Sequence, residues 1–379
     1  MQKRVLFFNN DVTYFFIHRK KFVNYFLNHN YKVIYSFPTK EKQKLEEYMQ
    51  KNNEILEGQI SFYNLKKRSL NILNELITIF SIFKLILISK PLIIYTTTVK
   101  LGLYIILVNN FFRKKIIINF SGLGYLYVKK NIYVIILRKF IEFIFKFSYH
   151  KKSIFIFENN EDLKYFTENK KIFPLQRCLC LNGVGVDIQK FQYIKKNIKT
   201  SYNVLMVARI EYEKGVFDYL KAIKELKNNN QFSFILVGKI PDNKDINLLK
   251  LLDECKTFNN FKYFSWIDDM TKLYSKIDVG VLTSYREGMS VFLMESLSSG
   301  IPLIVTDIPS NRQIVQDNYN GYLVSLNSPI QIVEKLYEIT KNYNNYLSMS
   351  KNARNLCEKN FDEEIILSKY EKKLDYILH

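Results

Sequence analysis

Short runs of consecutive apolar residues recur along this chain. Each is followed by a longer segment whose apolar side chains return every three or four positions. Runs of that kind predict strands buried on both faces of a parallel sheet, and the segments between them predict the crossover helices. The first series comprises Arg4–Phe8, Lys32–Phe37, Leu92–Tyr95, Lys115–Asn119 and Ser153–Phe157. A second series restarts at Asn203–Val207 and continues through Phe232–Val237, Phe261–Phe264, Asp278–Thr283 and Leu303–Thr306. Between Asp187 and Ser201 lies a polar, lysine-rich stretch, IQKFQYIKKNIKTS. The pattern therefore predicts an α/β chain of two Rossmann-like, doubly wound domains facing each other across a cleft. Their expected bounds are 1–195 and 196–360, with a final helix over 361–379. Ligands of such sheets sit beyond the carboxyl ends of the strands.

Two segments are more apolar than a crossover helix needs. Leu70–Ser89 carries Asn71, Asn74, Glu75, Thr78 and Ser81 as a polar stripe, and Asn131–Tyr149 carries Arg138, Lys139, Glu142 and Lys146. A charge at the bilayer centre costs at least about 2.5 kcal/mol, which argues against insertion of the second. These helices either pack on a sheet or lie in the membrane interface, and packing is the expectation for most of each face. The chain of 379 residues is long enough for two domains, and its 47% hydrophobic content is that of a globular protein. Residues 1–200 hold 34 lysines and arginines against 13 acidic residues, while residues 201–379 hold 22 against 23. The first half is thus the part that meets an anion. Its basic residues alternate with aromatic and aliphatic ones, which favours an anionic membrane surface over nucleic acid. The four cysteines show no zinc-ligand pairing and read as reduced thiols. The first ten residues enter a strand directly, with no signal-peptide apolar region.

The chemistry concentrates in SYREGMSVFLMESLSSGI, Ser284 to Ile301, where Glu287 and Glu295 have seven residues between them. A strand leads in, and a helix opens near Met289 or Ser290 and stops at Gly300 before Pro302. A helix N-terminus offers unpaired N–H groups and a partial positive charge to a phosphate. The two carboxylates beside it can accept hydrogen bonds from sugar hydroxyls. The segment resembles the E-x7-E signature of the retaining glycosyltransferases of family 4, which have the GT-B fold. The likeness runs over DVGVLTSYREGMSVFLMESLSSGIPLIVTDIPSNRQIVQDNYNGYLV, with its Gly-x-Pro and Asn-Gly turns.

That resemblance implies residue roles. Glu287 would bind hydroxyls of the transferred sugar and Glu295 the ribose diol. Gly288, Met289 and Ser290 would offer backbone N–H groups to the phosphates. Arg209 and Lys214, in VARIEYEKGVFDYL, match the family's cationic clamp on the donor diphosphate. Gly238 would let the backbone approach the same cleft, and Trp266 and Ile267 would lie in the base-binding loop. On the acceptor side, FFIHRKK resembles a segment of the enzymes that extend lipid-linked sugars, so His18 and Arg19 would open the first helix facing the cleft. Gly122 and Gly124, in NFSGLGYLY, would let a loop bend toward donor or acceptor. FENNEDL and NGVGVDIQKF also match. The final helix would cross back onto the first domain. One departure stands out: where many relatives have a glycine-rich loop after strand one, this chain reads NNDVTYF.

The expected activity is retaining transfer of a hexose or N-acetylhexosamine from a UDP-sugar to a polyprenyl-diphosphate-linked saccharide or other glycolipid. Such an enzyme would serve bacterial surface polysaccharide or glycan synthesis, as a peripheral protein on the inner face of the cytoplasmic membrane. No Asp-x-Asp occurs, so no metal and no other cofactor is expected. The rival readings are a nucleotide-sugar epimerase of the same fold, which needs no acceptor, and a basic nucleic-acid-binding protein, for which no motif appears.

Overall fold

A computed structural model of the chain describes residues 3–378 except 67–70, 124–126, 128–130, 150, 152, 198, 243 and 244. It forms two compact units, Met1–Val184 with Leu367–His379, and Gly185–Ile366. The first is built on seven parallel strands: β1 (Arg4–Phe8), β2 (Lys32–Pro38), β3 (Gln59–Tyr63), β4 (Ile93–Thr97), β5 (Lys115–Phe120), β6 (Ile154–Phe157) and β7 (Cys178–Cys180). Their order is β3-β2-β1-β4-β5-β6-β7. The second holds β8 (Tyr202–Val207), β9 (Phe232–Val237), β10 (Phe261–Phe264), β11 (Val279–Leu282), β12 (Leu303–Thr306) and β13 (Gly321–Val324), ordered β10-β9-β8-β11-β12-β13. Both are doubly wound, and each reverses strand order once, at β1/β4 and at β8/β11. The central strands are buried on both faces, as in IIYTT and VGVL, because helices cover both sides.

Three strands lie outside the two series of apolar runs. β3 (QISFY) is an edge strand with only Tyr63 buried. β7 is three residues long, and β13 follows directly on the Asn320–Gly321 turn.

The lysine-rich stretch is not a free linker. Val186 and Phe191 are buried, Ile194 N–H donates to the Ser299 carbonyl at 3.2 Å, and Lys196 Nζ donates to the Ile277 carbonyl at 2.8 Å. Residues from Gly185 onward therefore belong to the second unit, so the division falls upstream of the expected 195/196. Apolar side chains spaced through the basic run draw it onto the surface. Burial holds the Lys196 ammonium down to about 8, with Asp278 opposing the shift. The last helix, Glu363–Leu378, starts in the second unit and continues in the first from Leu367. There Tyr370 meets the Phe22 ring edge-on at 4.9 Å, and Tyr25 donates to Asp375 Oδ1 at 2.7 Å.

The two apolar helices depart from the packing expectation. The helix Ile72–Ser89 buries only Thr78, Ile82, Ile86 and Ser89. It has the length and hydropathy to cross a membrane, and 22% of it is buried. Its polar side chains point inward: Glu75 pairs with Lys100 at 3.0 Å, and Ser81 Oγ accepts from the Asn64 amide at 3.0 Å. Leu73, Leu76, Ile77, Phe80 and Ile88 are exposed. The helix Ile132–Ser148 does likewise. Its Glu142 turns in to accept from Tyr165 at 2.5 Å, while Tyr133, Ile136, Phe140, Phe143 and Phe147 face outward. Both helices flank the helix Val99–Phe112. The polar stripe is the side that meets the protein.

Candidate functional site

In a doubly wound sheet a ligand sits where strand order reverses, beyond the carboxyl ends of the two central strands. In the second unit these are β8 and β11. β8 ends at Val207, two residues before Arg209, and β11 ends at Leu282, before the loop that carries Glu287. Topology alone thus brings the cationic and acidic segments to one place.

Hydrogen bonds then fix the two loops in register. Thr283 Oγ1 donates to the Gly215 carbonyl at 2.7 Å, and the Tyr285 amide donates to the Glu213 carbonyl at 3.0 Å. The Tyr285 and Tyr212 rings stack at 5.3 Å. Gly215 has φ +69°, and a Cβ there would lie 1.9 Å from the Thr283 carbonyl oxygen, so only glycine lets the loops approach this closely. The result is a direct ion pair. Lys214 Nζ lies 2.8 Å from both carboxylate oxygens of Glu287. Ser284 Oγ, buried, donates to Glu287 Oε1 at 2.6 Å.

Glu287 stands just ahead of the helix Val291–Ser298. Ser290 is its N-cap, with extended backbone, but its side chain does not cap the helix. Nor do the amides of Gly288, Met289 and Ser290 make a backbone hydrogen bond among the described residues. The N-terminus is therefore left with donors suited to an anion. Glu295, inside this helix, accepts from Tyr274 at 2.8 Å. Burial pushes its carboxyl up to about 7, while Tyr274 and Lys190 act in the opposite direction.

The remaining donor-side residues are more loosely gathered. Arg209 is half exposed and donates to Glu211 Oε1 at 2.9 Å. No contact among the described residues joins it to Lys214. Gly238 closes the end of β9, where a Cβ would lie 1.7 Å from the Ala208 carbonyl oxygen. It lets the backbone leading into Arg209 pass. Trp266 is exposed, donates to Asp268 at 3.0 Å and lies under Lys239 Nζ at 4.8 Å, while Ile267 beside it is half-buried.

In the first unit the expected cleft cation is buried. Phe15–Arg19 forms a π turn rather than the start of a helix. Arg19 is 2% exposed and ion-paired with Glu158, and it donates to Tyr14 OH at 2.7 Å. Among the described residues its Nε and Nη1 have no hydrogen-bond partner. His18 packs against Tyr14 at 4.9 Å, and burial beside Arg19 and Lys21 lowers its pKa to about 3, so it is neutral. Asp11, from the stretch that replaces the glycine-rich loop, caps the first short helix by accepting from the Tyr14 amide at 3.0 Å. Gly122 has φ +112° after β5, and Gly124 lies outside the described residues. Ser284, Tyr285 and Glu158 escape a reading by residue type, because serine, tyrosine and one glutamate among many carry no signal until the fold gives them partners. Glu158 did lie in the matching segment FENNEDL. Among the described residues no cluster of three or more His, Cys, Asp or Glu could hold a metal ion.

Comparison with known proteins finds relatives of this chain. The profile of the family described as "Glycosyl transferases group 1" matches residues 187–356. An N,N'-diacetylbacillosaminyl-diphospho-undecaprenol alpha-1,3-N-acetylgalactosaminyltransferase of Campylobacter jejuni is 26% identical over 270 residues, 68% of this chain and 69% of that protein. A UDP-Gal:alpha-D-GlcNAc-diphosphoundecaprenol alpha-1,3-galactosyltransferase of Escherichia coli is 28% identical, over 54% of this chain and 55% of that one. Among solved structures, a glycosyltransferase from Rickettsia africae superposes with a TM-score of 0.76 at 17% identity, covering 100% of this chain and 99% of the other. Anabaena HepE in complex with UDP and glucose gives 0.77 at 12% identity, covering 99% and 100%.

Proposed function

We propose, from the match of residues 187–356 to the group 1 glycosyl transferases and from the two doubly wound sheets, that the chain moves a hexose or N-acetylhexosamine from a UDP-sugar to a polyprenyl-diphosphate-linked saccharide. The observation that carries the site assignment is the Lys214–Glu287 pair, held by Ser284 at the carboxyl end of β11. Lys214, Arg209 and the open N-terminus at Gly288–Ser290 receive the diphosphate. Negative charge develops on the diphosphate as the glycosidic bond breaks, and fixed cations and amides stabilise it most where water is excluded. Glu287 accepts hydroxyls of the sugar and Glu295 those of the ribose. The acceptor hydroxyl attacks the face the diphosphate is leaving and gives its proton to the departing phosphate, so configuration is retained. These cations make a metal unnecessary, and turnover in the presence of a chelator should match turnover without it.

The acceptor class follows the two relatives, whose names specify undecaprenyl-diphosphate-linked substrates. An epimerase would need no acceptor, and a nucleic-acid binder no donor site. The outward apolar faces of the helices Ile72–Ser89 and Ile132–Ser148, with Lys84, Lys90, Lys139 and Lys146 exposed among them, suit an anionic lipid surface. These faces support the reading of an enzyme that works at the cytoplasmic surface of the membrane. Mass spectrometry of products from a UDP-sugar panel with a short polyprenyl-diphosphate saccharide tests the reading. Transfer of one sugar with release of UDP is expected. Release of a free sugar epimer without an acceptor would overturn it.

A further inference from the structure

The donor site neutralises its own charge in the free protein. Lys214 directs two of its three N–H groups to the two oxygens of Glu287, and Arg209 is paired with Glu211. A diphosphate arriving at this site therefore meets ammonium and guanidinium groups that already have carboxylate partners.

We propose that Glu287 is a built-in stand-in for the donor phosphate, displaced from Lys214 when the nucleotide-sugar binds, and that Ser284 is the positioning residue that holds the displaced carboxylate ready for the sugar. The inference deepens the donor-site reading above and rests on it. Three features carry it. Both carboxylate oxygens are engaged by one ammonium, so Glu287 cannot give its full acceptor capacity to sugar hydroxyls while the pair is intact. The backbone holds the partners together, because alternate residues of one loop are tied to alternate residues of the other: Thr283 to Gly215 and Tyr285 to Glu213. The exchange must then be made by side chains alone. Lys214 has a long, flexible stem that can swing to a phosphate. Glu287 keeps its second bond, from the buried Ser284 hydroxyl at 2.6 Å, and so stays in place when Lys214 leaves. The anion lost from Lys214 is replaced by a phosphate oxygen, and the acceptor sites freed on Glu287 pass to the sugar.

The test measures UDP binding by calorimetry alongside steady-state transfer. Removing the competing charge in Glu287→Gln should tighten UDP binding roughly tenfold, since a like charge beside the phosphate is costly, while transfer falls. Ser284→Ala should bind UDP as the wild type does and keep its KM for the UDP-sugar, but lose at least about tenfold in kcat. Its melting temperature reports whether the fold survives. Equal or weaker UDP binding by Glu287→Gln, with binding by the wild type intact, overturns the exchange and leaves the donor site standing. Absence of UDP binding in both overturns the donor site and the exchange together. A Ser284→Ala variant with unchanged kcat, or with its loss confined to KM, overturns the positioning role.

Discussion

The two units share a strand order and treat the place where it reverses in opposite ways. In the second unit the reversal is polar and open: Lys214, Glu287 and an uncapped helix N-terminus meet beyond β8 and β11. In the first, Asp11 already caps the short helix after β1, and the nearby cation, Arg19, is sunk in an ion pair with Glu158. The excess positive charge of the first half is thus not concentrated at its reversal point. Four exposed lysines, Lys84, Lys90, Lys139 and Lys146, lie instead among exposed apolar side chains on or beside two helices. On the proposed function, one Rossmann-like sheet serves an anion and the other a surface, and the difference resides in loops and helix faces rather than in the strands.

The largest effect should come from the buried pair in the first unit. Removing one partner of a buried ion pair leaves an uncompensated charge and costs about 3–5 kcal/mol. Glu158→Ala and Arg19→Ala should each lower the unfolding free energy, measured by denaturant titration, by that much. Arg19→Met combined with Glu158→Leu should lose less than either alone. Were Arg19 an acceptor-binding cation on an open surface, Arg19→Ala would instead reduce turnover and leave stability near the wild-type value.

The contrast between the units also explains what could be read from the amino-acid order. The reversal site of the second unit was legible because its chemistry is local: Lys214–Gly215, Glu287 and the Gly300–Pro302 stop are short-range patterns. The burial of Arg19 was not, because its partner lies 139 positions away and becomes a neighbour only when β6 joins the sheet. The outward turn of the apolar helices was hidden for another reason. Periodicity shows that two faces differ but not which one meets the protein. Glu75 found Lys100 and Tyr104 on the next helix, and this pairing turns the polar stripe inward. β3 was missed because an edge strand needs no continuous apolar run.

Loss of the donor clamp is the next largest effect. Lys214→Ala and Glu287→Ala should each reduce turnover by roughly 10²-fold or more, a loss typical of a missing electrostatic contact to a developing charge. Neither should alter binding to lipid vesicles, since both lie in the other unit. The reverse experiment sharpens the comparison. Ile77→Asp with Phe80→Asp places charge on the exposed face of the Ile72–Ser89 helix, where full burial of each native side chain is worth about 1.5–3 kcal/mol. Co-sedimentation with anionic vesicles should fall by about tenfold or more, and UDP binding should not change. A variant that still sediments fully would remove the surface role of the first unit.

The smallest expected effect is a pH dependence confined to the second unit. Glu295 has its carboxyl raised to about 7 by burial, with Tyr274 donating to it and Lys190 nearby. A raised carboxyl means that the folded state holds a proton the unfolded chain has already released. Its contribution to stability is therefore present at low pH, is lost as pH rises from about 4.5 to about 7, and is constant above that. Nucleotide binding should run the other way. Only the ionised carboxylate can accept from both ribose hydroxyls, so affinity for a UDP-sugar should rise several-fold as pH passes through 7. Glu295→Gln should flatten both trends, leaving stability less dependent on pH between 5 and 7 and UDP-sugar binding level from 6 to 8. A UDP-sugar is the right probe because its diphosphate, esterified at both ends, does not titrate in that range. A rise that survives in Glu295→Gln would assign the titration to another group and separate Glu295 from the ribose.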